Sequence, residues 1–280
     1  MGQLATGCGD QTLSAGLRDL PALPGLSLAP GGPALLRALG GERVAARAPD
    51  TPFNGPITAH RRWAWGGLAL ERVKAVKDAA DVTLNDVVVT LCAASARAWL
   101  RDHDALPDRP LLAAIPVSAR GDDDADYGNR IGLMAAPIAT HLDDPLERLR
   151  WTSQALDEAK DHHGGAPADT LLDAAHPIPP AVASLAARAA LNGLSRLRSP
   201  LNLLISNVPG PRETMTLLGR EVQGIYPVPP LTDGLGLNIT VVSYRDVLGV
   251  GVIVDRDQAE DAWPLLDGLE TALSELEAAV

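Results

Sequence analysis

Thr83-Leu84-Asn85-Asp86-Val87-Val88-Val89-Thr90-Leu91-Cys92-Ala93-Ala94-Ser95-Ala96-Arg97-Ala98-Trp99 is the stretch on which the fold turns. Thr83 suits an N-cap and Asp86 stands three residues later in a capping-box position, so the spacing predicts a helix that runs to about His103. Leu84, Val87, Val88, Leu91, Ser95 and Ala98 fall on one of its faces, and Val89, Cys92, Ala96 and Trp99 fall on another. A helix that is apolar nearly all round has no face to give to water, so this one is expected to be buried at the centre of the core.

Upstream, Trp63–Leu70 reads as a strand and Leu70–Ala80 as a helix, with Leu70, Val73, Ala75, Val76 and Ala79 at helical spacing. Downstream, Leu111–Val117 and Ile131–Thr140 read as strands separated by an acidic loop, Asp122–Asp126. Asp144 followed by Pro145 predicts a helix to about Lys160, because proline at the first helical position is already shaped for it. A helical stretch at Pro180–Leu197 follows, then strands at Leu201–Ser206, Glu221–Val228, Leu235–Val242 and Val247–Val254, and a last helix over Gln258–Ala279. Residues 1–50 carry repeated Pro and Gly and read as a linker or N-terminal arm, with room for a short helix at Pro33–Leu39 ended by Gly40 and Gly41.

This order predicts an α/β fold, a mixed β-sheet with helices packed on one or both faces, and disfavours a pure Rossmann arrangement. Pairing the last two strands about Arg245 and Asp246 puts Leu235, Leu237, Ile239 and Val241 on one face. Gly236, Asn238, Thr240, Gly249 and Gly251 fall on the other. Such a glycine-rich face signals close packing of a helix or a groove for a long ligand. Close packing is the preferred reading, since strand glycine usually marks a near approach of backbone.

With 46% hydrophobic and 21% charged residues in 280, the chain can bury a core and fits one or two domains. Its aromatic content of 3% leaves the core to Leu, Val, Ile and Ala. A net charge of −11 argues against general affinity for nucleic acid or anionic lipid, although Arg61 and Arg62 make a local basic spot. Two cysteines, Cys8 and Cys92, cannot form a disulfide framework, which fits a reducing cytosol. Met1–Asp10 has no basic or apolar leader pattern, and no stretch offers about 20 uninterrupted apolar residues, so secretion and membrane spanning are not expected.

Several chemistries are not supported. The six histidines are scattered and the cysteines far apart, so no metal spacing appears. Gly234 and Gly236 start a G-x-G that leads into a strand, where a phosphate loop needs a helix N-terminus. Ser118 and Ser206 lack a G-x-S-x-G setting. Two motifs remain. Val208-Pro209-Gly210-Pro211 reads as a type II turn, with Pro209 fixing φ and Gly210 accepting a positive one, and it would hold Asn207 at a strand tip. On those residues alone, Asn207 reads as a turn cap. Asn85 and Asp86 lie in the first turn of the buried helix, where the dipole favours oxygen-bearing groups, and Asp86 reads as stabilising the helix itself.

The start Thr83-Leu84-Asn85-Asp86-Val87-Val88-Val89 and the segment Ser206-Asn207-Val208-Pro209-Gly210-Pro211 resemble the N-D-V-V and N-V-P-G-P motifs of the bacterial wax ester synthase/diacylglycerol acyltransferase family. Supporting matches fall in the family's order over about residues 50 to 280. They are Phe53-Asn54-Gly55-Pro56, Pro116-Val117-Ser118-Ala119-Arg120, Gly128-Asn129-Arg130, Gly236-Leu237-Asn238-Ile239 and Ser243-Tyr244.

The resemblance implies a chloramphenicol-acetyltransferase-like two-layer sandwich, with residues 51–280 as a C-terminal acyltransferase-like domain. It implies half of an acyl-CoA-dependent O-acyltransferase that acts on fatty alcohol or diacylglycerol, with no cofactor beyond the long-chain acyl-CoA substrate. Asn85 and Asn207 would place polar groups near the reaction centre, and Asp86, Pro209, Gly210 and Pro211 would hold them. The family's H-H-x-x-x-D-G is not met by His162-His163, because Pro167 and Ala168 stand where Asp and Gly are needed. Those histidines therefore read as a solvated loop after a helix, and no catalytic residue is expected in this chain. A departure lies after Ser243-Tyr244, where the family places Gly and this chain has Arg245 and Asp246.

The expected partner is a separately encoded or cleaved N-terminal half that carries the histidines. A cytoplasmic location with peripheral membrane or lipid-droplet contact is compatible with this reading. The competing readings are a non-catalytic acyl-binding or partner-binding module and a fragment of a longer gene product.

Overall fold

The computed structural model describes residues 48–118, 131–163 and 201–280. Most of the expected arm, the Pro33–Leu39 helix, the acidic loop and the Pro180–Leu197 stretch lie outside them. A single 3-10 turn at Pro52–Asn54 comes first. It is followed by β1 (Arg61–Ala69), α1 (Leu70–Ala80), α2 (Leu84–Asp102), β2 (Leu111–Ser118), β3 (Ile131–Ile138) and α3 (Pro145–His163). Later in the chain come β4 (Leu203–Val208), the short β5 (Thr216–Leu217) and β6 (Arg220–Glu221), β7 (Leu237–Tyr244), β8 (Val247–Asp255) and α4 (Trp263–Ala279).

Six strands form one mixed sheet in the order β1-β8-β7-β4-β2-β3. The outer pairs are antiparallel, and β4 runs parallel to both β2 and β7. α2 packs against α1, α3 and α4. Its Val87, Leu91 and Ala96 share one core with Ala64, Leu203, Ile205, Ile239, Val250 and Val252 of the sheet and with Leu265 and Leu269 of α4. Burying each of the Val, Leu and Ile side chains among them contributes roughly 1.5–3 kcal/mol. The result is the two-layer α/β sandwich, with α2 in its middle.

The predicted capping box is present. Thr83 Oγ1 accepts from the Asp86 N–H (3.2 Å), and Asp86 Oδ2 accepts from the Thr83 N–H (2.9 Å). Asp81, in the left-handed region at φ 54°, ends α1, and the chain turns through 105° into α2. No single helix among the described residues is long and apolar enough to cross a membrane.

Three expectations are corrected. Glu221–Val228 is not a strand of the main sheet: only Arg220–Glu221 pairs, and it pairs with Thr216–Leu217. Pro227, Pro229 and Pro230 supply no N–H to a ladder, so this segment lies on the sheet instead of in it. A Cβ at Gly249 would come within 1.9 Å of the Ile225 carbonyl oxygen, and one at Gly251 within 1.8 Å of the Pro227 oxygen. The glycine face is thus closely packed, but against an extended segment and not a helix.

That segment is also tied to β1, the last strand of the described sheet on that side. Trp63 Nε1 donates to the Pro227 carbonyl (3.1 Å), and the rings of Trp65 and Tyr226 lie 4.9 Å apart. The second correction concerns the last helix, which starts at Trp263 and not at Gln258. The intervening chain is bound elsewhere: Gln258 N–H bonds to the Asp255 carbonyl (3.1 Å) and its Nε2 donates to the Gly55 carbonyl (2.9 Å). Third, α3 continues through His162 and His163, which close the helix and do not follow it in a loop.

The segment before β1 is fastened by side-chain amides and a carboxylate. Asn202 Oδ1 accepts from the Leu112 N–H (2.9 Å), and its Nδ2 donates to the Pro49 carbonyl (2.7 Å) and to Asn54 Oδ1 (2.8 Å). Asn54 Nδ2 in turn donates to the Leu201 (2.7 Å) and Gly234 (3.1 Å) carbonyls. Asp255, fully buried, accepts from Thr58 N–H (2.6 Å), Thr58 Oγ1 (2.9 Å) and the Asp257 N–H (3.0 Å), and pairs with Arg61 at 3.1 Å. Burial alone would raise the Asp255 pKa. The bonds from Thr58 and Asp257 together with the Arg61 charge outweigh it and hold the carboxyl below its ordinary value.

Candidate functional site

Two segments distant in sequence meet where α2 begins and β4 ends. Asn207 Nδ2 donates to Asn85 Oδ1 at 3.4 Å, a long contact between two half-buried amides. Asn85 is carried there by the first turn of α2. Asn207 is carried by β4, where it lies opposite Val241 of β7.

Asp86 is 1% exposed and fixes that first turn from two sides. Its Oδ2 closes the capping box and also accepts from Ser153 Oγ of α3 (3.1 Å), while its backbone carbonyl accepts from Thr90 Oγ1 (2.7 Å). Oδ1 of Asp86 is buried with no partner among the described residues. Asp86 is therefore a structural neighbour of Asn85, as its sequence position suggested.

The run Pro209-Gly210-Pro211 is not the type II turn that its residues suggest. Gly210 is absent from the positive-φ glycines of the described residues, which are Gly219 and Gly234. It precedes Pro211, whose ring drives the residue before it into extended backbone. Glycine is needed for a different reason: a Cβ there would lie 1.9 Å from the Ser243 carbonyl oxygen. The chain leaves β4 pressed against the end of β7, where the Gly210 N–H bonds to Ser243 Oγ (3.1 Å).

Ser243 and Tyr244, which in the sequence stand only as part of the family resemblance, both shape the surroundings of the site. Buried Tyr244 accepts from the Met215 N–H (2.9 Å) and donates to the Val222 carbonyl (3.0 Å), which ties down both ends of the β5–β6 excursion. The tyrosine that ends β7 was the available signal, because a buried phenol needs hydrogen-bond partners.

Among the described residues no histidine bonds to Asn85, Asp86 or Asn207. His103 stacks on Trp99 with ring centroids 3.8 Å apart, and His141 meets the edge of Trp151 at 5.1 Å. Burial, then the Arg97 charge, lowers the His141 pKa. Burial pushes the Cys92 thiol up to about 12, which keeps it from serving as a nucleophile near neutral pH. What the site offers is a pair of carboxamides on rigid elements. The Asn85 Nδ2 makes no hydrogen bond among the described residues and is free to donate.

Comparison with known proteins identifies the family. The model of the WS/DGAT C-terminal domain matches residues 127–277, and that of the wax ester synthase/diacylglycerol acyltransferase catalytic domain matches residues 29–88. Asn207 lies in the first match and Asn85 in the second. The second match also overlaps part of the expected linker, and it contributes β1, which pairs with β8 in the common sheet.

A Mycobacterium tuberculosis protein named as a diacylglycerol O-acyltransferase is 42% identical over 234 residues, which are 83% of this chain and 51% of that protein. The O-acyltransferase WSD of Acinetobacter baylyi is 37% identical over 230 residues, 82% of this chain and 48% of the relative. The solved wax ester synthase/diacylglycerol acyltransferase from Marinobacter aquaeolei is 33% identical with a TM-score of 0.68, covering 93% of this chain and 59% of that one. The epimerization domain of tyrocidine synthetase B, at 13% identity and a TM-score of 0.50, shares the fold alone. The chain spans about half the length of the curated relatives it matches. With a domain model matched over more than half its residues and both motifs meeting at one site, the chain belongs to the wax ester synthase/diacylglycerol acyltransferase family.

Proposed function

We propose that this chain is the C-terminal half of an acyl-CoA-dependent O-acyltransferase. It forms one wall of the substrate tunnel and depends on a histidine-bearing N-terminal half for ester synthesis. The observation that carries this reading is the meeting of Asn85 and Asn207, 122 residues apart in sequence, at a point where no described residue supplies a base. In the complete enzyme a histidine on the other half removes the proton from the hydroxyl of a fatty alcohol or diacylglycerol, and the resulting oxygen attacks the acyl-CoA thioester. The C–S bond then breaks, so that coenzyme A leaves as the thiol with the proton the histidine returns. Between attack and C–S cleavage, negative charge develops on the former carbonyl oxygen. A preset amide donor such as Asn85 Nδ2 stabilises such charge without having to reorganise.

Asn207 holds Asn85 in place through its own amide, and the capping box with Ser153 holds the turn that carries Asn85. Residues of this chain therefore bind and orient, and proton transfer belongs to the missing partner. A cytoplasmic setting with peripheral contact to membrane or lipid droplet is part of the same proposal.

The test is an acyl-CoA transfer assay with hexadecanol and with diacylglycerol, run on the chain alone and with a histidine-bearing half added. The expected result is turnover only in the mixture. Robust turnover by the pure chain would sink the missing-half reading, and its loss in His163→Ala would transfer the chemistry to the end of α3.

A further inference from the structure

Beside the Pro209-Gly210-Pro211 run lies a cleft of about 300 Å³ lined by Leu70, Lys74, Gly210, Pro211, Arg212, Ser243 and Arg245. Three of those seven residues are cationic and none is acidic, in a chain whose net charge is −11. Lys74 comes from α1, Arg212 from the run after β4, and Arg245 from the β7–β8 turn, where it sits in the left-handed region at φ 56°. The fold thus converges three positive charges from separate elements on one opening.

Only one of the three is neutralised: Arg245 pairs with Glu221 of β6. Lys74 and Arg212 are exposed and make no ion pair among the described residues. Two uncompensated cations held close together repel one another unless an anion lies between them. The site has a polar group besides the charges. Ser243 Oγ accepts the Gly210 N–H, which leaves its own proton to donate.

We propose that this cleft is a phosphate-binding subsite, and that the phosphate it takes is on the nucleotide part of the acyl-CoA substrate. The proposal rests on the acyl-CoA reading above. It adds a place for the polar end of that substrate next to the segment that carries Asn207. Arg212 offers the planar fork that matches phosphate oxygens, and Lys74 offers a mobile point charge. A phosphate on a lipid headgroup presents the same chemistry, so the experiment separates the two sources.

The chain is titrated at low ionic strength with coenzyme A and, separately, with phosphatidylcholine vesicles with and without phosphatidate. Wild type is compared with Lys74→Gln/Arg212→Gln, whose exposed positions leave the fold intact, as an unchanged Tm verifies. Coenzyme A should bind, and the double variant should weaken it by about tenfold or more, as loss of charge-assisted hydrogen bonds implies. Binding that the double variant leaves intact overturns the cleft as the phosphate subsite while the acyl-CoA reading stands. Vesicle binding that needs phosphatidate, Lys74 and Arg212, without any binding of coenzyme A, overturns the nucleotide source, while the acyl-CoA reading is decided separately by the transfer assay on the two halves. No binding of either probe overturns the proposal.

Discussion

At Gly210 a single hydrogen atom leaves room for the Ser243 carbonyl. Gly210→Ala places a methyl group 1.9 Å from that oxygen, and neither partner can give way without moving backbone. The substitution should destabilise the chain by about 2–3 kcal/mol, read as a drop in Tm on a thermal melt. Asn207→Ala should behave differently. The amide bond it removes is long and half-buried, so stability should change by less than about 1 kcal/mol. Transfer by the reconstituted enzyme should fall by about tenfold or more, because Asn85 loses the group that orients it. If Asn207→Ala melts as early as Gly210→Ala while its folded fraction keeps full activity, Asn207 is only a structural cap. The sequence showed that position 210 needs glycine but not why. A positive φ is a local rule, whereas the real obstacle is a carbonyl 33 residues away.

At the scale of elements, the capping box and the amide clamp make separable predictions. Thr83→Ala removes one acceptor from the start of α2 and should cost about 1 kcal/mol by chemical denaturation. The Asp255 carboxylate has its pKa depressed in the fold, so it binds a proton less readily there than in the unfolded chain. Its stabilising contribution is complete above the ordinary carboxylate value of about 4 and is lost as pH falls below that. Denaturation midpoints measured between pH 7 and pH 3 should therefore drop on the acidic side, and Asp255→Asn should flatten that part of the profile. The extent of α2 was legible because its cap and its periodicity are written within 20 residues. The strand read at Glu221–Val228 failed because apolar residues there satisfy a period of two, while its prolines and the glycines it lies on sit in different parts of the sequence.

For the whole molecule, the test is association. A histidine-bearing half, supplied separately, should co-purify with this chain, and two components that stay apart by light scattering at high micromolar concentration would favour a stand-alone binding module. The fold class, the central helix and the β7–β8 pairing were all readable from patterns of burial. That Asn85 and Asn207 would both lie near one centre came from the resemblance alone, and their direct contact was not foreseen, since no local pattern brings a helix start to a strand end across 122 residues. One feature of β1 also makes the molecule optically readable. Trp63 and Trp65 are 38% and 44% exposed, and both touch the segment that covers Gly249 and Gly251, one through the Pro227 carbonyl and the other through Tyr226. Lifting that segment would strip the indoles of a hydrogen bond and a ring contact and wet them further. The intrinsic fluorescence of this strand should then shift to the red before the core, where Trp99 is shielded, reports any change.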